Sequence, residues 1–328
     1  MSKVTFIGGG TGPYGLLGAL KSHPDLDLAV IVTMFDDGGS TGTLRDELGA
    51  LPPGDVRQCL VALSEESEDW RGIFDFRWSE GEGLKGHSLG NLIITALEKK
   101  YKSFEKALEV AKRILKVRGD VIPVTLDNIR LVAQTPIGKR IIGEHNIDLK
   151  EQPIKSLSFR PEPSVNPKAI ERILKSDLIV ICPGDLYTSI LPNLMVQSMA
   201  NAIGVSNALK VYVCNLMTQK MHTEGFRVIH FVELLEKYLG QKDIFDFVLY
   251  NTKKPSQKFL ASYLQEGESP VRYLRKDFAN RRTEFIGQNF LSQKMPQKVE
   301  GDSLKRALIR HNAIEVALVL KKLLKKRE

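Results

Sequence analysis

Two runs of small and acidic residues carry most of the chemistry that this sequence could perform. Gly8-Gly9-Gly10-Thr11-Gly12 follows the apolar stretch Val4-Thr5-Phe6-Ile7, and Asp36-Asp37-Gly38-Gly39-Ser40 follows the apolar stretch 28–35. Glycines allow a sharp turn and let backbone N–H groups approach an anion with no Cβ in the way, so both runs are candidate phosphate cradles. Gly10-x-Gly12-x-x-Gly15 also has the dinucleotide-binding spacing, with acidic residues following at about the distance where a ribose ligand is expected. A tight strand-to-helix turn with no ligand explains the same glycines. Side by side, Asp36 and Asp37 could hold a metal ion or bond sugar hydroxyls, or they could only cap a turn.

Other polar residues recur where apolar runs end. Arg57, just after Leu51-Pro52-Pro53-Gly54-Asp55, could clamp a phosphate or only pair with Asp55 or a glutamate. His87 and Asn91 are four apart, the spacing of one helix face, and the histidine suits acid–base work, phosphate binding or a structural hydrogen bond. Gly184 and Tyr187 belong to a third polar loop, with Asn193 beyond it, and Asn215 and Thr218 close a further apolar run. The amide edges of Asn193 and Asn215 suit a base or a sugar.

These residues need a scaffold that gathers strand ends. The nearly continuous apolar runs near 4–7, 28–35, 178–182, 211–214 and 247–250 predict parallel strands covered on both faces, separated by helical patterns. The fold class is therefore α/β, a doubly wound, Rossmann-like and mostly parallel sheet, whose ligand crevice lies beyond the carboxyl ends of the strands. Residues 118–162 have a different texture and predict a small β-rich insert within one domain spanning 1–328. Leu304, Leu308, Ala313, Val316, Ala317, Leu320 and Leu324 mark one face of a C-terminal helix.

Composition narrows the function classes. The net charge of +8 favours anionic ligands, but no nucleic-acid module accompanies it and the final seven residues before Glu328 hold much of the surplus. No apolar stretch is long enough to span a bilayer, and no signal peptide is evident, which predicts a cytoplasmic protein without a membrane partner. Cys59, Cys182 and Cys214 are scattered, as buried thiols in a reducing compartment would be. The expected partner is a small molecule; a homo-oligomer is compatible with the sequence.

Taken in order, Gly8 to Gly12, Asp36-Asp37-Gly38-Gly39-Ser40-Thr41-Gly42, Leu51-Pro52-Pro53-Gly54-Asp55-Val56-Arg57 and Gly86-His87-Ser88-Leu89-Gly90-Asn91 resemble the CofD-like family. The resemblance resumes at Pro183-Gly184-Asp185-Leu186-Tyr187, at Cys214-Asn215-Leu216-Met217-Thr218-Gln219 and at Ile309-Arg310-His311, covering essentially the whole chain. It is similar to the gluconeogenesis-factor branch more than to the 2-phospho-L-lactate transferases. That implies a regulatory protein needed for growth and cell shape on gluconeogenic carbon sources, which binds UDP-N-acetylglucosamine. It also implies that Tyr263 and Arg310 match the UDP-sugar-binding tyrosine and arginine.

The alternative is a transferase of phosphorus-containing groups that uses Mg2+. In that reading Asp36 or Asp37 holds the metal or deprotonates the acceptor, while amides at 9–12 stabilise phosphate charge. A nicotinamide dehydrogenase rests on the glycine spacing alone. Cys182 and Asp185 stand where the branch usually has Gly and Ser, Thr43 where it often has Arg, and Lys220-Met221-His222 where it usually has Pro-Gly-Glu. Asp185 would add a third carboxylate to Asp36 and Asp37 as a metal set.

Overall fold

The computed structural model describes residues 1–150, 152–293 and 307–327. Seven parallel strands form the central sheet: β1 (Ser2–Gly8), β2 (Leu26–Val32), β3 (Asp120–Pro123), β7 (Leu178–Ile181), β8 (Leu209–Val213), β9 (Phe247–Asn251) and β10 (Glu284–Gln288). Their order is β3-β2-β1-β7-β8-β9-β10, and every neighbouring pair runs parallel. Connections move outward one way from β1 and the other way from β7. The switch point therefore lies between these two strands, in register from Val4 opposite Leu178 to Ile7 opposite Ile181. The crevice that such a reversal opens is where ligands bind in doubly wound sheets.

The apolar runs are continuous because helices cover both faces. Residues 28–32 of β2 and Val4, Phe6 and Ile7 of β1 are almost fully buried. The helix Thr11–Leu20 buries Leu16, Leu17 and Leu20 and packs against the helices Gly54–Leu63 and Ala313–Arg327. Burying each of these leucines stabilises the fold by about 1.5–3 kcal/mol before entropy is subtracted. The described residues include no helix long and apolar enough to cross a membrane. All three cysteines are buried and unpaired.

The β-rich segment divides. Its first strand, β3, completes the parallel sheet beside β2, whereas β4 (Arg130–Gln134), β5 (Arg140–Ile142) and β6 (Ser156–Arg160) form a separate antiparallel sheet in the order β5-β4-β6. The short helix Glu144–Lys150 lies between β5 and β6. At the end of the chain the expected helix begins only at Ala313, so Leu308 precedes it, and Leu304 lies outside the described residues.

Candidate functional site

The loop after β1 is confined from two sides. A Cβ on Gly12 would stand 1.9 Å from the Pro183 carbonyl oxygen, and one on Gly10 would stand 2.7 Å from Asp55 Oδ1 and 2.9 Å from Asp55 Cα. Only glycine lets the β1 and β7 exits and the start of the helix Gly54–Leu63 approach so closely. Asp55 accepts a hydrogen bond from the Gly10 N–H, so a carboxylate already rests in the anion cradle. The close approach that suits a phosphate thus also accommodates an internal anion.

A cleft of about 810 Å³ opens from this loop. Gly9, Gly10, Thr11 and Gly12 line it together with Gly184, Asn215 and Thr218 from the exits of β7 and β8. Asn215 Nδ2 donates to the Gly184 carbonyl at 2.6 Å, locking those two exits together, and Thr218 Oγ1 donates to the Ser269 carbonyl at 3.1 Å. Tyr263 and Arg310 line the same cleft. Tyr263 Oη accepts from the Leu308 and Ile309 amides at 2.8 and 3.2 Å, and Arg310 Nε donates to the Ala307 carbonyl at 2.7 Å.

Next in the chain, His311 anchors this segment over β8. Its Nε2 donates to the Cys214 carbonyl at 3.1 Å, and burial lowers its pKa to about 4, so the ring is neutral. A carbonyl can only accept, which places the imidazole proton on Nε2.

Carboxylates dominate the electrostatics. Burial, then the neighbouring Asp36, raises Asp55 to about 7, while the Gly10 amide and Arg57 oppose the shift. Burial raises Asp36 as well, against the hydrogen bonds from Gly38 and Thr41. Glu144 is held well above the usual range by burial and by Asp36, Asp148, Asp55 and Asp185, and Asp148 is raised to about 8 by burial and Asp185. Five acids from four separate segments therefore share one field. The sequence pattern singles out Asp36 and Asp185 from this group, but not Asp55, Glu144 or Asp148.

Several expected ligand groups are engaged elsewhere. Arg57 is buried and donates to Asn91 Oδ1 at 3.0 Å, to the Phe74 carbonyl at 3.3 Å and to Asp75, so its guanidinium braces helices instead of lining the cleft. His87 precedes the helix Leu89–Tyr101, whose N-cap is Ser88, so His87 and Asn91 do not share a helix face. Both instead meet Ser40 Oγ, at 3.0 and 3.3 Å. Tyr187, raised to about 12 by burial, packs against the His222 ring, and the fully buried Asn193 donates to the Ser189 carbonyl at 2.8 Å. Gly8, Gly38 and Gly39 shape the strand exits without lining the cleft; Gly39 takes a positive φ of 45° at the start of the helix Gly39–Leu48.

The ligand atoms of Asp36, Asp37 and Asp185 are not gathered into one metal-holding set among the described residues. Asp37 accepts from Arg130 Nη1 on one oxygen and from the His145 amide on the other, both at 2.9 Å, which ties it to the small antiparallel sheet. Asp36 accepts from the Gly38 amide at 2.9 Å. Asp185 has different neighbours. Among the described residues, one group of three His, Cys, Asp or Glu side chains brings its ligand atoms within 4.8 Å of one another: Asp148, Asp185 and His222.

Arg45 is a further residue that no motif indicated. It is buried and donates to the Asp36 carbonyl at 2.7 Å, to Asn128 Oδ1 at 2.8 Å and to the Ile129 carbonyl, pinning the β2 exit to the segment before β4. Burial lowers its pKa to about 10.

The family profile described as 2-phospho-L-lactate transferase CofD matches residues 4–291. The chain belongs to the CofD family. Among the relatives of this CofD member, one from Thermotoga maritima is 40% identical over 321 residues, covering 98% of this chain and 99% of the relative. A Bacillus subtilis relative described as "Gluconeogenesis factor" is 37% identical over 324 residues and covers 98% of each chain. A Listeria monocytogenes relative with the same description is 37% identical over 316 residues, covering 96% of this chain and 93% of its own. The crystal structure of a Bacillus halodurans protein superposes with a TM-score of 0.89 at 35% identity, covering 98% of this chain and 99% of that one. The CofD membership and the α/β architecture thus agree, and the gluconeogenesis factors are its named relatives.

Proposed function

We propose that this CofD-family chain is a cytoplasmic, nucleotide-sugar-binding regulatory protein of the gluconeogenesis-factor kind, which supports growth and cell shape on gluconeogenic carbon sources. Its ligand is UDP-N-acetylglucosamine. The observation that carries the reading is that Arg310 and Tyr263 line the same cleft as Gly9 to Gly12, although about 300 residues separate Arg310 from the glycine loop. Backbone amides of the loop and the Arg310 guanidinium then serve the diphosphate, and the Tyr263 ring serves a uracil or sugar face. Calorimetry with UDP-N-acetylglucosamine tests it. Arg310→Ala is expected to weaken binding by about ten- to hundredfold, the equivalent of about 1.5–3 kcal/mol for a hydrogen bond to a charged group. Binding unchanged by that substitution would remove the role of Arg310, and no binding by the unmodified protein would end the reading.

Asp55 favours a second reading, a phosphorus-group transferase. A carboxylate raised to about 7 beside the glycine loop is placed to accept the proton of an acceptor hydroxyl while that oxygen attacks phosphorus and the nucleotide leaves. Turnover of a nucleotide-activated phosphorylated acid by purified protein, abolished in Asp55→Asn, would decide for it.

A further inference from the structure

The expected metal set of Asp36, Asp37 and Asp185 is not gathered, but Asp185 stands in a different one. We propose that Asp148, Asp185 and His222 bind a divalent transition-metal cation on the wall of the cleft. The three come from separate elements: the helix Glu144–Lys150, the exit of β7 and the turn that follows β8. Their ligand atoms lie within 4.8 Å of one another, and Asp148 and Asp185 line the cleft. Bonds of about 2.0–2.2 Å span ligand atoms up to about 4.4 Å apart, so small side-chain rotations close the set. Two carboxylate oxygens and one imidazole nitrogen leave coordination positions open toward the cleft. The imidazole selects Mn2+, Zn2+ and similar ions over Mg2+, which prefers an all-oxygen shell.

The residues behind the set hold it in place. Asp185 Oδ1 accepts from the Tyr187 and Thr188 amides at 3.1 Å each, and Gln219 Nε2 donates to its other oxygen. Such outer hydrogen bonds orient a ligating carboxylate. His222 is 7% exposed, its ring lies edge-on to Tyr187 at 5.8 Å, and its turn is closed by the Gln219 amide donating to Thr223 Oγ1 at 2.8 Å. Two buried oxygens at this place make no hydrogen bond of full geometry: Asp148 Oδ1 and the hydroxyl of Thr188, which is 1% exposed and interacts with the Asp148 carboxylate, as Glu144 also does. A cation with its bound water satisfies both, the carboxylate as a ligand and the hydroxyl as a partner of the water.

Titration of the full chain with Mn2+, followed by the electron paramagnetic resonance of the free ion, tests the proposal without any nucleotide. One ion per chain is expected, with spin-echo modulation from an imidazole nitrogen in the unmodified protein. His222→Gln should abolish that modulation, and Asp148→Asn should weaken Mn2+ at least about tenfold with the far-ultraviolet circular dichroism unchanged. Absence of binding, binding without nitrogen modulation in the unmodified protein, or equal affinity in Asp148→Asn would each overturn it. Because no nucleotide is present, failure of the UDP-sugar reading leaves these results standing and is read separately by calorimetry in chelator.

Discussion

Binding of a diphosphate in this cleft should take up a proton, and Asp55 is the group that carries it. The Asp55 carboxylate rests on the Gly10 amide, where a phosphate oxygen would sit, and its pKa is raised to about 7. The charged groups facing it are Asp36, Arg57 and Glu144. A phosphate that displaces the carboxylate from the amide also repels its charge, so the bound state favours protonated Asp55. If only that form binds, the apparent dissociation constant scales as one plus ten to the power of pH minus pKa. With a pKa of about 7, affinity falls about tenfold between pH 6 and pH 8. A UDP-sugar has no group that titrates in that interval, so the change belongs to the protein. Calorimetry at pH 8 in buffers of different ionisation enthalpy should read an uptake of about 0.9 proton per ligand. Asp55→Asn should lose most of this slope and keep only the share of Asp148, which lines the same cleft and is raised to about 8. Affinity that is constant or rises with pH in the unmodified protein, or a slope undiminished in Asp55→Asn, would refute the argument.

Three further outcomes are expected. Gly12→Ala places a Cβ 1.9 Å from the Pro183 carbonyl oxygen, and urea denaturation should show a loss of about 1–3 kcal/mol or more; an unchanged midpoint would mean that the two loops are not held in contact. Asp148 is raised to about 8 in the folded chain from a model-peptide 3.8, so the folded state binds more protons than the unfolded state and ligand-free stability should fall as pH rises from about 4 to about 8. Melting curves at pH 5 and pH 8 check the sign, and Asp148→Asn should reduce the difference, leaving the shares of Asp36, Asp55 and Glu144. Tyr263→Phe removes the acceptor of the Leu308 and Ile309 amides, which should lower ligand-free stability by about 1 kcal/mol and weaken UDP-N-acetylglucosamine several-fold through a looser Arg310. Unaltered melting and calorimetry in that variant would show that the hydroxyl does not position the segment.

The glycine loops and five strands were readable because each strand is a continuous apolar run ending in small polar residues, a pattern set by burial on both faces. Two strands escaped for the opposite reason. β3 is only four residues and ends in Pro123, so it reads as part of the β-rich insert, and β10, Glu284–Gln288, is mixed in polarity because it lies at the sheet edge. Spacing misled at His87 and Asn91, where the N-cap at Ser88 intervenes and Ser40 supplies the link between them. The acidic cluster was legible only in part. Asp36 and Asp185 sit at strand ends, whereas Glu144, Asp148 and His222 reach the site because a helix of the insert and a turn after β8 fold back toward β7.

The charge of the cleft explains why that hidden part matters for a nucleotide ligand. Its lining includes Asp55, Asp148, Asp185, Glu266 and Glu268, with Arg310 the one Lys or Arg among the described lining residues. A net charge of +8 over the chain therefore does not describe the surface that a diphosphate meets. Bringing two more negative charges here is unfavourable by Coulomb's law, at about 4 kcal/mol for a like pair 4 Å apart in an effective dielectric of about 20. Protonation of Asp55 relieves the glycine-loop side, and a cation on Asp148, Asp185 and His222 relieves the other. The two devices act on different carboxylates, so each effect should persist when the other is removed. Asp55→Asn should retain the Mn2+ enhancement of UDP-sugar binding, and His222→Gln should retain the pH slope; loss of both effects in either single variant would show that the acids respond as one coupled group.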